Sequence, residues 1–274
     1  MTLSRAASVA LLADHGLTPK RKFGQNFLVD ANTLRKIVRL SGVGPGDRVI
    51  EFGPGLGALT EQLLEVGAEV RAVEIDRDLI GILKERPELE SVKFFEADAM
   101  DVDFNLLAPP LEGPYDLVAN LPYNVATPLV MRVLREAPQI RSIFVMVQLE
   151  VAERLGAGPG DDAYGSVSAR LRYWAKAELV GKVPATVFVP APKVASGLVR
   201  IVRLDTPAVD PDLAPVALIE RVVTMAFGQR RKMLRRSLQS LLNEEDFIAA
   251  GVDSSQRPEQ LDIQAFGALA GRIS

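Results

Sequence analysis

Four residues near the middle of the chain, Asn120-Leu121-Pro122-Tyr123, place an amide, a proline and an aromatic ring at the end of an apolar run. That run, "DLVA" at 116–119, reads as the end of a buried strand. Pro122 cannot donate to a sheet ladder, so the strand stops there. These residue types suit chemistry on the exocyclic amine of adenine, a weak nucleophile whose lone pair is delocalised into the ring. Two acceptors for its N–H hydrogens favour a pyramidal nitrogen with its lone pair free to attack. The Asn120 side-chain oxygen is one candidate acceptor. The Leu121 carbonyl, held rigid by Pro122, is the other. Tyr123 offers a face to the base, and such stacking is worth roughly 1–3 kcal/mol. No general base is required, because the product amine loses its proton to solvent and catalysis is mostly positioning. A target base must be single-stranded or flipped out. Phe188, in "TVFVPAPKVASG" (186–197), is a candidate second wall. The alternatives are a plain turn at Asn120–Pro122 with Tyr123 packed, and a core position for Phe188.

A second group lies upstream. "EFGPGLGALT" (51–60) carries Gly53, Gly55 and Gly57, which let a strand-to-helix turn approach a ligand closely. The spacing is G-x-G-x-G with a proline inside, not the G-x-G-x-x-G of a dinucleotide site. Glu74 ends the next strand in "AVEID", where a carboxylate can accept from both ribose hydroxyls. Asp98, in "FEADA", ends the one after and can accept from an adenine amine. Each acid alone reads as a solvated strand end. Two in succession after a glycine loop point to an adenosine-bearing cofactor, NAD or S-adenosylmethionine. Hydride transfer has no use for Asn-Leu-Pro-Tyr at the fourth strand end, whereas transfer of a methyl to an amine does.

The elements needed to position these groups follow a β-α alternation. Strands are expected at 47–53, 68–76, 91–99, 115–121 and 141–150, with helices at 56–67, after Asp76 up to Pro87, and at 127–137. "ELVGKVP" and "SGLVRIVRL" add two late strands, expected as an antiparallel edge pair. The pattern is that of a doubly wound, mostly parallel α/β sheet. The Pro- and Asp-rich stretch 205–215 marks a boundary. We therefore expect a domain over 1–204 and a small all-helical domain over 205–274.

Composition narrows the chemistry further. The chain has 274 residues, no cysteine and a single histidine, His15. Disulfides, thiolate catalysis and Cys-ligated zinc are excluded, and a Ser-His-Asp triad or a histidine-rich metal site is not expected. A net charge of −3 gives no global argument for nucleic acid, so any such argument is local. No apolar run is long enough to span a bilayer, and the N-terminus reads as a short amphipathic helix rather than a signal peptide.

"KRKFGQNFLVD" (20–30), "EFGPGLGALT", "VEID", "ADA", "NLPYN" and "VFVPAPKV" occur in this order. Together they resemble the ribosomal RNA small-subunit adenine dimethyltransferases, the KsgA/RsmA family, over nearly the whole chain. The resemblance implies a Rossmann-like class I methyltransferase fold with a seven-stranded sheet, and S-adenosylmethionine as cofactor. It implies dimethylation of two adjacent adenosines in a hairpin near the 3′ end of small-subunit RNA, and a role in late subunit assembly. By motif, Asn26 and Leu28 cover the cofactor, and Gly53 and Gly55 lie against it. Glu74 with Ile75 takes the ribose and Asp98 with Ala99 the adenine. Asn120 touches both methionine end and target amine, and Tyr123 and Phe188 sandwich the base. A cytoplasmic monomer acting on the small ribosomal subunit is expected, with no metal. Two basic groups are candidates for RNA. One is Lys20, Arg21 and Lys22. The other is Arg230, Arg231, Lys232, Arg235 and Arg236, expected on one helix with Arg231/Arg235 and Lys232/Arg236 sharing faces. An assembly factor whose methylation is secondary, and a DNA adenine methyltransferase, are the competing readings.

Overall fold

The β-branched runs of the first half become strands, and their order places the site. The computed structural model describes residues 4–122 and 125–273; the Arg21 side chain also lies outside the described residues. The strands are β1 (Phe27–Leu28), β2 (Arg48–Phe52), β3 (Glu69–Glu74), β4 (Lys93–Glu96), β5 (Tyr115–Asn120), β6 (Ile140–Gln148), β7 (Ala175–Val183), β8 (Phe188–Val189) and β9 (Ser196–Arg203). Helices of the first half are α1 (Arg5–Asp14), α2 (Ala31–Ser41), α3 (Ala58–Glu65), α4 (Arg77–Glu85), α5 (Phe104–Leu107) and α6 (Ala126–Glu136). Those of the second half are α7 (Leu149–Gly156), α8 (Ser166–Leu171), α9 (Val216–Gly228), α10 (Leu234–Ser237), α11 (Glu244–Ala250) and α12 (Ile263–Ala270).

Seven strands form one sheet in the order β4-β3-β2-β5-β6-β9-β7. The pairs β3/β4, β2/β3, β2/β5 and β5/β6 are parallel. The chain runs outward from β2 to β4 and then returns to β5 on the other side of β2. Order therefore reverses between β2 and β5, where Val49 faces Asp116 and Ile50 faces Leu117. Such a switch point leaves a crevice at the carboxyl ends of the strands. β9 and β7 form the edge expected of the two late strands. A separate antiparallel ribbon pairs Phe27 with Val189 and Leu28 with Phe188, joining segments far apart in the sequence that periodicity cannot connect.

The chain forms two compact units, 1–152 with 179–201, and 153–178 with 202–274. The first has a core of Leu34, Ile37, Val49, Leu63, Val118 and Phe144, among others. Its α2 is closed at one end by Asp30, which accepts from the Thr33 N–H at 2.6 Å, and at the other by Gly42 at φ 79°. The second has its own core, to which Ala157, Tyr164, Ala169 and Tyr173 contribute beside Ile219, Val222 and Phe266. The expected single boundary after 204 therefore gives way to a division that assigns 153–178 to the helical unit. The reason is side-chain packing: Tyr164 is buried, stacks edge-on to Phe227 and donates to the Leu261 carbonyl at 2.9 Å.

The expected continuous helix over 230–236 is corrected. α9 ends at Gly228, the chain turns through 229–233, and α10 covers only Leu234–Ser237. The Leu234 and Arg235 N–H groups donate to the carbonyls of Gln256 and Ser254 at 2.8 and 3.0 Å. These tertiary bonds replace the intrahelical ones a continuous helix would need. Arg231 and Arg235, and Lys232 and Arg236, thus do not share faces of one helix.

Candidate active site

The crevice at the switch point is a cleft of about 350 Å³. The glycine loop forms its floor. Gly53, Gly55 and Gly57 have φ of 68°, 60° and 81°, the left-handed region that side chains rarely adopt. A Cβ on Gly55 would stand 3.0 Å from the Phe27 ring, and one on Gly57 2.7 Å from Leu89. A Cβ on Gly53 would have no atom of the described residues within 4 Å beyond its chain neighbours. Gly53 lines the cleft, so its open side is where a ligand can come against bare backbone.

Glu74 ends β3 and is buried in the cleft wall. Its Oε1 accepts from the Asp76 N–H at 3.0 Å and its Oε2 from the Gly55 N–H at 3.3 Å. Burial pushes its pKa up, against the opposing pull of those N–H donors. The neighbouring Ile75 also lines the cleft and is exposed. Asp98 follows β4. Its Oδ1 accepts from the Met100 N–H at 2.8 Å, and no described residue is bonded to Oδ2. Ala99 is beside it in the wall.

Asn120 ends β5. Its Nδ2 donates to the Asn26 carbonyl at 3.3 Å, which fixes the amide and leaves Oδ1 with no partner among the described residues. The Leu121 N–H remains in the sheet, donating to Met146 at 3.0 Å. The Pro122 carbonyl accepts the Val125 and Ala126 N–H groups, both at 3.2 Å, and so opens α6. Asn26, Leu28, Gly53, Gly55, Glu74, Ile75, Asp98, Ala99, Asn120, Leu121 and Pro122 are all brought to this one cleft. Tyr123 lies outside the described residues.

Phe188 does not line this cleft. It is 1 % exposed, pairs with Leu28 and packs in the first core with Leu34, Val118, Phe144 and Val183.

The two basic groups differ. Lys22 is exposed with its Nζ 4.6 Å from the Phe23 ring centre, whereas Lys20 is half-buried and paired with Asp76 and Asp78. Arg230, Arg231, Lys232, Arg235 and Arg236 are exposed, and Arg230 donates to the Asp162 carbonyl at 2.8 Å.

Sequence reasoning missed Glu51, Gln25 and Ser8, which also line the cleft. Glu51 left a signal: a carboxylate inside the apolar strand "RVIEF". It is fully buried and accepts from Thr60 Oγ1 at 2.6 Å. Burial pushes its carboxyl up to about 8, outweighing the Thr60 hydrogen bond, and the nearby Glu74 adds to the rise.

A cleft with carboxylates at two successive strand ends, bare backbone at Gly53 and an amide oxygen that has no partner among the described residues fits S-adenosylmethionine beside an amine. Comparison with known proteins agrees. The family described as "Ribosomal RNA adenine dimethylase" matches residues 16–272. The "Ribosomal RNA small subunit methyltransferase A" of Cutibacterium acnes is 49 % identical over 275 residues, covering 95 % of this chain and 91 % of that protein. The protein of the same name from Pseudomonas fluorescens is 45 % identical, covering 93 % and 94 %. Among solved structures, the 23S rRNA methyltransferase ErmE superposes with a TM-score of 0.72 at 25 % identity, over 90 % of this chain and 99 % of that one. A dimethyladenosine transferase from Plasmodium falciparum gives a TM-score of 0.72 at 23 % identity, over 89 % and 95 %, and so shares the fold.

Proposed function

The chain belongs to the ribosomal RNA adenine dimethylase family, and from that premise we propose which residues carry the reaction and on which RNA. The enzyme depends on S-adenosylmethionine and dimethylates the N6 amine of adenine in ribosomal RNA. Its substrate is the small-subunit (16S) RNA, at two adjacent adenosines of a hairpin near the 3′ end, met late in subunit assembly. The small-subunit name carried by relatives at 49 % and 45 % identity supports that choice. The protein acts as a monomer in the cytoplasm, where its particle is assembled.

The bound cofactor supplies a methyl group on a sulfonium. The chain's own residues hold and orient. Glu74, beside Ile75, accepts from the ribose hydroxyls, and Asp98, beside Ala99, from the cofactor's adenine amine. Asn26, Leu28, Gly53 and Gly55 enclose its methionine end. Asn120 Oδ1 and the Leu121 carbonyl accept the hydrogens of the target amine, and Pro122 keeps that carbonyl rigid. Tyr123 stacks on the target base. One observation carries this reading: Glu74, Asp98 and Asn120, at or just beyond the ends of three different strands, share one cleft at the switch point.

The test is incubation of labelled S-adenosylmethionine with unmethylated small subunits, followed by nucleoside analysis. Dimethyladenosine in the small-subunit RNA is expected. With Asn120→Ala, turnover falls by at least about 100-fold while cofactor binding survives in part. Methylated DNA, or a variant that keeps most of its rate, overturns the assignment.

A further inference from the structure

The N-terminal wall of the cleft is a strap, residues 20–28, and one buried carboxylate holds it. Lys20 Nζ donates to Asp76 Oδ1 and to Asp78 Oδ2, both at 2.6 Å. Gln25 Nε2 donates to Asp76 Oδ2 at 2.7 Å. The Lys20 N–H donates to Gln25 Oε1 at 2.8 Å, so both ends of the segment 20–25 meet on Asp76. Lys22, Phe23 and Gly24, between those ends, line the cleft.

Asp76 is 3 % exposed and caps α4, its Oδ1 also accepting from the Asp78 N–H at 3.2 Å. Burial alone would raise its carboxyl, but Lys20, Gln25 and the Asp78 N–H together outweigh burial and hold it below the usual range. Asp76 is therefore a buried anion whose counter-charge comes from the strap. Taking Lys20 away leaves that charge unpaired, which makes opening of the strap costly.

Asp76 makes a further bond. Its N–H donates to Glu74 Oε1 at 3.0 Å, fixing the cleft carboxylate. Farther along the strap, the Asn26 carbonyl fixes the Asn120 amide. The strap and the strand ends are thus tied at two points, one beside the expected ribose site and one at the expected amine site.

We propose that Lys20, Gln25 and Asp76 form a latch that holds the strap over the cofactor. They are positioning residues that set cofactor affinity and exchange, and Lys20 belongs to this latch rather than to the RNA surface. The proposal rests on the reading of the cleft as the S-adenosylmethionine site. With the latch broken, residues 22–26 leave the wall more often, so retention of cofactor suffers. Methyl transfer at saturating cofactor does not.

The test uses the full-length protein with Lys20→Met and Gln25→Leu, and Glu74→Gln as control. Cofactor Kd is measured by calorimetry, amide exchange over 20–28 by mass spectrometry, and small-subunit binding by filter retention. Lys20→Met and Gln25→Leu are expected to weaken S-adenosylmethionine binding about tenfold and to deprotect the strap amides. At saturating cofactor kcat stays within about twofold, so the loss shows in KM. Subunit affinity of Lys20→Met is unchanged, and Lys20→Arg recovers part of the cofactor affinity. The two substitutions together cost less than the sum of their separate effects, because they break one network. Wild-type cofactor affinity in Lys20→Met, with Glu74→Gln impaired, overturns the latch alone. Wild-type affinity in both variants overturns the cofactor reading of the cleft as well. Loss of subunit binding in Lys20→Met, with cofactor affinity intact, returns Lys20 to the RNA surface.

Discussion

Glu51 is a carboxyl enclosed in a strand, and its environment makes stability depend on pH in a definite direction. Its folded pKa is raised from 4.5 to about 8, chiefly by burial. The folded state therefore holds a proton that the unfolded state releases above about pH 4.5. The neutral acid's contribution is fully present below that pH and is lost as pH rises through about 8, by up to about 1.4 kcal/mol per pH unit between. Glutamine copies the neutral acid in shape and can still accept from Thr60. Glu51→Gln is therefore expected to flatten the fall in the urea midpoint between about pH 6 and 9 and to be the more stable form at about pH 9. Parallel pH profiles for the two proteins would show that Glu51 is not the group responsible. Asp76 shows the opposite solution to a similar burial: with Lys20 and Gln25 on its oxygens it stays ionised.

The glycine loop shows what an element demands of single positions. At Gly57 an added Cβ meets two obstacles, a φ of 81° and Leu89 at 2.7 Å, whereas at Gly53 it meets only a φ of 68°. Gly57→Ala is expected to cost about 1–3 kcal/mol in urea unfolding at unchanged m-value, and more than Gly53→Ala. Gly53→Ala should instead act mainly on cofactor affinity, since its Cβ enters the cleft; the reverse ranking in the two assays refutes this account of the loop. The loop, the parallel strands and the strand-end acids were legible because each depends on local pattern: β-branched runs, glycine spacing, a carboxylate where a run stops. The Phe27–Leu28 and Phe188–Val189 ribbon was not, since two residues per strand carry no period and their pairing spans the chain. The burial of Phe188 was hidden for the same reason, because it comes with that pairing. The break after Gly228 was equally hidden, because the carbonyls that capture the Leu234 and Arg235 N–H groups belong to Gln256 and Ser254, well downstream. Membership of 153–178 in the second core is decided by packing of Tyr164 and its neighbours, which no boundary composition announces.

Over the whole molecule, a net charge of −3 leaves any RNA attraction to local patches, and the two basic groups differ in how many of their cations are paired. Lys20 is consumed by carboxylates in the first compact unit. In the second unit, Arg231, Lys232 and Arg236 are exposed and make no ion pair among the described residues, and the Arg235 guanidinium has the Met233 sulfur, at 3.2 Å, as its one hydrogen-bond partner among them. The break in the helix does not remove this patch, since a turn followed by α10 still presents all five cations to solvent. Each phosphate that such a side chain neutralises releases counterions and steepens the salt dependence of binding. Reversing both charges, Arg231→Glu with Arg235→Glu, is therefore expected to weaken small-subunit binding at least about tenfold at about 0.1 M salt. The slope of log K against log salt should become shallower by about one for each phosphate that is no longer neutralised. Cofactor Kd should not change, because every residue lining the cleft belongs to the first unit. Subunit binding with an unaltered slope would remove 230–236 from the RNA surface, and a weakened cofactor Kd would show that these charges act on the cleft instead.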